Sequence, residues 1–169
     1  MSLSKRALGV SPSLTLAITA KAKKMKADGL DVISFGAGEP DFDTPDYIVA
    51  AAKEALDKGI TRYTPASGTV ELRKAICDKL ARENGVTYDV NQIVVSNGAK
   101  HSLSNAIRAL VEEGDEVIIP APFWLTYPEL VKLSDGTPVI APLLPENGFK
   151  LTPEQLRGLI TPKPQPVQE

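Results

Sequence analysis

The passage that most constrains the fold runs from Ile93-Val94-Val95 through Ser96-Asn97-Gly98-Ala99-Lys100 into a segment with Leu103, Ala106, Ile107, Leu110 and Val111 on one helical face. A short β-branched run, a glycine turn and an apolar stripe at helical spacing predict a buried strand, a turn and a helix that ends at Gly114. The alternation continues. Glu116-Val117-Ile118-Ile119 predicts a strand, residues 125–133 a short helix, and Pro138-Val139-Ile140-Ala141 a further strand. Strands alternating with helices of this length predict an α/β domain with a largely parallel sheet covered on both faces.

Upstream, Leu14, Ala17, Ile18, Ala22 and Met25 predict an amphipathic helix with Gly29 at its C-terminal cap. Val32-Ile33-Ser34-Phe35 predicts a short strand, followed by an ordered Gly- and Pro-rich loop over residues 36–43. Thr44 as N-cap, Pro45 at the first helical position and Asp46 in the first turn open a second helix that Gly59 stops. A third carries Leu72, Ala75, Ile76 and Leu80 and ends at Asn84-Gly85, with Cys77 read as a small packed side chain. Thr152-Pro153-Glu154-Gln155 matches a capping box ahead of Leu156, Leu159 and Ile160. The prolines of Pro162-Lys163-Pro164-Gln165-Pro166 exclude a central strand or a helix in the tail.

Charge narrows the partners. Lys+Arg 19 against Asp+Glu 21 gives a net charge of −2 with both signs interspersed, so no basic stripe exists to neutralise phosphates and nucleic acid is not expected. The single Cys77 cannot form an internal disulfide, and no other cysteine stands near His101 to build a metal site. No apolar stretch approaches the roughly 20 residues of a membrane span. A cytoplasmic protein without a membrane or metal is the expectation.

In an open α/β sheet, ligands gather beyond the C-terminal ends of the strands, which directs attention to the segments after Val95 and Ile119. At Gly98-Ala99-Lys100, the first amides of a helix lack intrahelical acceptors and the helix dipole favours an anion there. His101 follows Lys100 where a Walker loop needs Ser or Thr, and the G-x-G-x-x-G pattern is absent, so this is not a nucleotide motif. An ordinary capped helix start is the competing reading. The sole tryptophan, Trp124, follows Pro120-Ala121-Pro122-Phe123 at the same predicted end of the sheet. Either it stacks on a planar ligand or it fills core volume.

Four blocks in this order are Gly36-Ala37-Gly38-Glu39-Pro40-Asp41-Phe42-Asp43-Thr44-Pro45, Arg62-Tyr63-Thr64-Pro65 with Gly68 and Glu71-Leu72-Arg73, Ser96-Asn97-Gly98-Ala99-Lys100, and Phe123-Trp124-Leu125-Thr126-Tyr127-Pro128-Glu129. Together they closely resemble the N-terminal part of class I aminotransferases, nearest to the bacterial aspartate subgroup that includes prephenate-using members. The resemblance implies the fold-type I architecture dependent on pyridoxal 5'-phosphate (PLP), working as a homodimer on amino-acid and 2-oxo-acid substrates. By position, Ala99 and Lys100 are similar to the amides that hold the cofactor phosphate, with Gly98 allowing close approach, and Trp124 to the ring stacked on the pyridine. Tyr63 matches a tyrosine that reaches the cofactor phosphate of the neighbouring subunit. Gly38 matches a backbone contact to the substrate α-carboxylate. Lys100 and Thr15 are similar to the group that binds a distal carboxylate, with a solvated lysine as the alternative. His101 receives no role.

The implied reaction is transamination between aspartate or glutamate and a 2-oxo acid. The implied organisation is an N-terminal arm (residues 1–12), the start of a small domain (13–44) and the first part of a large cofactor-binding domain (45–169). The family's Schiff-base lysine, its Asn-Pro-Thr-Gly motif, the aspartate facing the pyridine nitrogen and the carboxylate-clamping arginine have no match in these residues, so no catalytic residue is assigned. We expect a truncated large domain, inactive alone. The alternatives are a noncatalytic fragment that associates with a full-length partner, or another fold-type I enzyme such as a carbon–sulfur lyase. The 169-residue polypeptide mixed with PLP is therefore expected to show neither transamination nor the absorbance of a stable, site-specific internal Schiff base beyond the non-specific reaction of PLP with exposed lysines. A stable Schiff-base spectrum that disappears in Lys100→Ala would make Lys100 a surrogate and contradict this.

Overall fold

A computed structural model describes residues 2–36 and 38–162, which fold as two units. One joins the residues through Ser13 to those from Gly98 onward, and the other spans Leu14–Asn97. Ala37 and the proline-rich tail from residue 163, including Pro164 and Pro166, lie outside the described residues. The first element, α1 (Lys5–Leu8), is a single turn capped by the Ser4 hydroxyl, which accepts from the Ala7 amide at 3.2 Å.

In the Leu14–Asn97 unit, α2 (Leu14–Ala27) follows the predicted apolar spacing, and the Leu30 amide closes its end on the Met25 carbonyl at 3.1 Å. α3 (Asp46–Asp57) begins one residue later than expected. The Pro45 carbonyl receives the Ile48 and Val49 amides, so Pro45 and not Thr44 is the N-cap. α4 (Val70–Lys79) is capped by the Thr69 hydroxyl, buries Cys77, and widens into a π-turn over Leu80–Asn84.

Two expected strands are absent here. Residues 32–35 and 93–95 carry no regular secondary structure and pair into no ladder, and Val94 is 66% exposed. A β-branched run becomes a strand only beside a neighbour that takes its backbone groups, and among the described residues neither segment has one. The second segment is nevertheless held. Val95 donates its amide to the Ser67 carbonyl at 3.0 Å, and the Arg73 Nη1 donates to the Val90 carbonyl at 3.0 Å. A Cβ on Gly68 would lie 2.7 Å from the Val95 Cγ2, so a larger residue there would force this packing apart.

The unit from Gly98 onward carries the sheet. α5 (Ala99–Leu110) ends at Val111, short of the expected Gly114. β1 (Glu116–Ala121), α6 (Thr126–Leu133) and β2 (Thr137–Pro142) form a βαβ unit whose strands are parallel, with Glu116 opposite Thr137 and Ala121 opposite Pro142. Parallel neighbours need a crossover, and α6 supplies it. Pro120, Pro138 and Pro142 cannot donate to a ladder; each strand has a single neighbour among the described residues, which leaves one side free of that demand. The helix lays Leu130 and Val131 towards β1 and β2, where Ile119 and Ala141 are also buried. Burying an aliphatic side chain of this size stabilises by about 1.5–3 kcal/mol, which makes this cluster the centre of the unit. α7 (Pro153–Leu159) packs against β2 behind the predicted capping box, whose Thr152 hydroxyl accepts from the Gln155 amide at 3.2 Å.

Candidate functional site

Helix α5 begins at Gly98, whose φ of 82° and ψ of 163° lie in a region that residues with a Cβ essentially never occupy. The Gly98 carbonyl accepts the His101 and Ser102 amides at 3.1 and 3.3 Å, which closes the first turn. Gly98 has no side chain with which to cap the helix, so the Ala99 and Lys100 amides stand ahead of the first intrahelical acceptor, where the positive end of the helix dipole lies. Such a helix start can receive an anion close to the backbone.

Trp124 reaches the same place from β1. The strand ends at Ala121, the Ala121–Pro122 peptide bond is cis, and the Trp124 carbonyl accepts the Tyr127 amide at 3.0 Å as α6 begins. The Tyr127 ring meets the indole edge-on, with centroids 5.7 Å apart and planes at 88°. The Lys100 Nζ lies over the indole, 4.8 Å from its centroid. The start of α5 and the loop after β1 therefore converge. Trp124 is 42% exposed, so core filling does not account for it. An aromatic ring exposed to this degree can receive a flat ligand.

The remaining candidates lie in the Leu14–Asn97 unit on three separate segments. Thr15 is half-buried in the first turn of α2, and its carbonyl accepts from the Thr19 hydroxyl at 2.8 Å. Gly38 is exposed in the loop before α3, and Tyr63 is fully exposed in the loop before α4. Among the described residues no cluster of three or more His, Cys, Asp or Glu could hold a metal ion, and no helix is long and apolar enough to cross a membrane.

Sequence reasoning gave no role to two residues that hold this region. Tyr127 is one, and its i, i+3 spacing from Trp124 is the signal that could have revealed it. The other is Glu129. It accepts the Ser11 amide at 3.0 Å and the Lys132 ammonium at 3.0 Å, tying the N-terminal segment to α6, beside an Arg6–Asp135 ion pair at 3.2 Å. Burial pushes the Glu129 carboxyl up, but the Ser11 amide and the Lys132 ammonium outweigh it and hold the carboxyl below its ordinary value.

The comparisons with known proteins identify the family. The sequence pattern of the aminotransferase class I and II family matches residues 30–168, and the chain belongs to that family. It is 56% identical over 154 residues to the aspartate/prephenate aminotransferase of Cereibacter sphaeroides, covering 91% of this chain and 38% of that one. It is 51% identical over 167 residues to the aspartate aminotransferase of Geobacillus stearothermophilus, covering 99% and 42%. The structure of the Thermus thermophilus aspartate aminotransferase with maleate superimposes with a TM-score of 0.92 at 42% identity, over 96% of this chain and 43% of that one. The chain thus spans about two fifths of the length of these relatives, and its fold is the corresponding part of the fold-type I architecture.

A carboxylate held ionised in the fold stabilises fully above its unfolded pKa, and that contribution is lost as pH falls through the lower folded value. Glu129→Gln is therefore expected to cost about 1 kcal/mol at neutral pH, kept small by the partial exposure of the Lys132 pair. The difference from the unsubstituted chain should shrink below about pH 4, near the usual carboxylate pKa. Urea unfolding of both chains at neutral and acid pH checks this.

Proposed function

We propose that this chain is the phosphate-binding and ring-stacking part of a PLP-dependent aminotransferase acting on aspartate or glutamate and a 2-oxo acid. The observation that carries the reading is the convergence at one place of the Gly98 helix start, the Lys100 ammonium and the exposed indole of Trp124. A phosphorylated aromatic cofactor needs an anion seat and a flat apolar face at a fixed separation, and these residues fit it. The aspartate and aspartate/prephenate aminotransferase names of the relatives support the reaction over a carbon–sulfur lyase.

PLP supplies an electron sink for the bond-breaking at the substrate α-carbon. The chain's own residues bind and orient. The Ala99 and Lys100 amides hold the phosphate, with Gly98 giving the backbone close access, while Trp124 offers its exposed ring to the pyridine. Gly38 contacts the substrate α-carboxylate through its backbone. Lys100 meets the distal carboxylate, Thr15 is a second candidate for that group by the family resemblance, and Tyr63 reaches across a homodimer interface to the partner's cofactor phosphate. Residues 1–12 form an arm, 13–44 open a small domain, and those from 45 on begin the large one. A cytoplasmic setting suits a protein with one cysteine and no disulfide.

Substrate choice tests the reading. In the full-length enzyme, Lys100→Ala should lower kcat/KM for aspartate by about 2–5 kcal/mol of transition-state stabilisation while changing an uncharged amino acid little. The backbone amides survive the substitution, so cofactor affinity should persist. Equal losses on acidic and neutral substrates, at unchanged cofactor affinity, would remove Lys100 from the specificity site.

A further inference from the structure

An ammonium on a four-carbon stem samples many rotamers unless something holds it, and a lysine that selects a carboxylate must be held. Here the holder is visible. The Lys100 Nζ lies 4.8 Å from the Trp124 centroid, and the indole is itself set by the perpendicular Tyr127 ring and by the Tyr127 amide on its carbonyl. Lys100 is in the first turn of α5, Trp124 follows β1 and Tyr127 is in the first turn of α6, so the ammonium rests on an indole that the start of α6 steadies. Among the described residues Lys100 has no acidic partner in an ion pair. The π face therefore orients the cation without neutralising it, and its hydrogen-bond donors stay available for an incoming anion.

We propose that Trp124, steadied by Tyr127, is a positioning residue for the Lys100 ammonium, and that this pairing sets the preference for dicarboxylic over monocarboxylic ligands. The inference rests on the proposed reading that Lys100 meets a distal carboxylate. It gives the indole a second task beside the stacking proposed above. An acidic side chain in place of the ring would hold the ammonium as well but would repel the substrate.

The test uses the 169-residue chain with succinate and butyrate as the dicarboxylate and monocarboxylate probes, followed by NMR. In the unsubstituted chain the Lys100 ε-methylene protons should be shifted upfield by the indole ring current. Succinate should bind more tightly than butyrate. Trp124→Leu should erase the upfield shift and weaken succinate about two- to fivefold, leaving butyrate unchanged. Trp124→Phe, which keeps an aromatic face, should restore most of both. Tyr127→Leu provides an independent variant, expected to reduce the shift while Trp124 is intact. The inference is overturned by an unshifted Lys100, by a shift that survives Trp124→Leu, or by equal losses for both probes. A succinate preference that Trp124→Leu leaves intact overturns the positioning role alone and keeps the distal-carboxylate reading. A shifted Lys100 with no succinate preference overturns that reading, and the specificity claim with it.

Discussion

The backbone at Gly98 is the constraint from which the site follows. A chain that leaves an extended segment and starts a helix within two residues must turn sharply, and at φ 82° and ψ 163° it does so in a conformation open to glycine. The turn brings the first amides of α5 to the front of the helix with no side chain over them. Any residue with a Cβ would add strain on the order of 1–3 kcal/mol. The Lys100–Trp124 pair lies beside that bare helix start.

The βαβ unit supplies the second half. β1 and β2 pair in parallel, and the buried cluster of Ile119, Leu130, Val131 and Ala141 fixes α6 against them. Because α6 begins directly after Trp124, the packing that holds the helix also holds the indole, through the Tyr127 amide and ring. The N-terminal segment reinforces α6 from another side through Ser11 and Arg6. A small core thus positions an exposed aromatic face, and the Lys100 ammonium is drawn onto it.

Much of this was legible in the sequence because its signals are local. The Gly98 turn, the α5 stripe, the β-branched runs of β1 and β2 and the Thr152 capping box each lie within one short window. The strands expected at residues 32–35 and 93–95 failed because strand formation is not local. A β-branched run such as Ile93-Val94-Val95 needs a partner ladder, and the amide of Val95 finds the loop carbonyl of Ser67 instead. The sequence offers the candidate site residues one by one and not their geometry. Lys100 and Trp124 were both singled out, yet nothing in their spacing announces a cation over a ring, and the Ser11–Glu129 bond joins residues 118 apart.

The central claim, that the α5 start seats a phosphate while Trp124 stacks on its ring, is tested most directly by amide and indole NMR signals of the chain titrated with pyridoxine 5'-phosphate and with pyridoxine. Neither compound carries the aldehyde that would react with lysines. The account predicts that the phosphate ester moves the Ala99 and Lys100 amides together with the Trp124 indole, and that pyridoxine leaves those amides in place. Amides of Ala99 and Lys100 that ignore the phosphate ester, or that respond equally to pyridoxine, would contradict it.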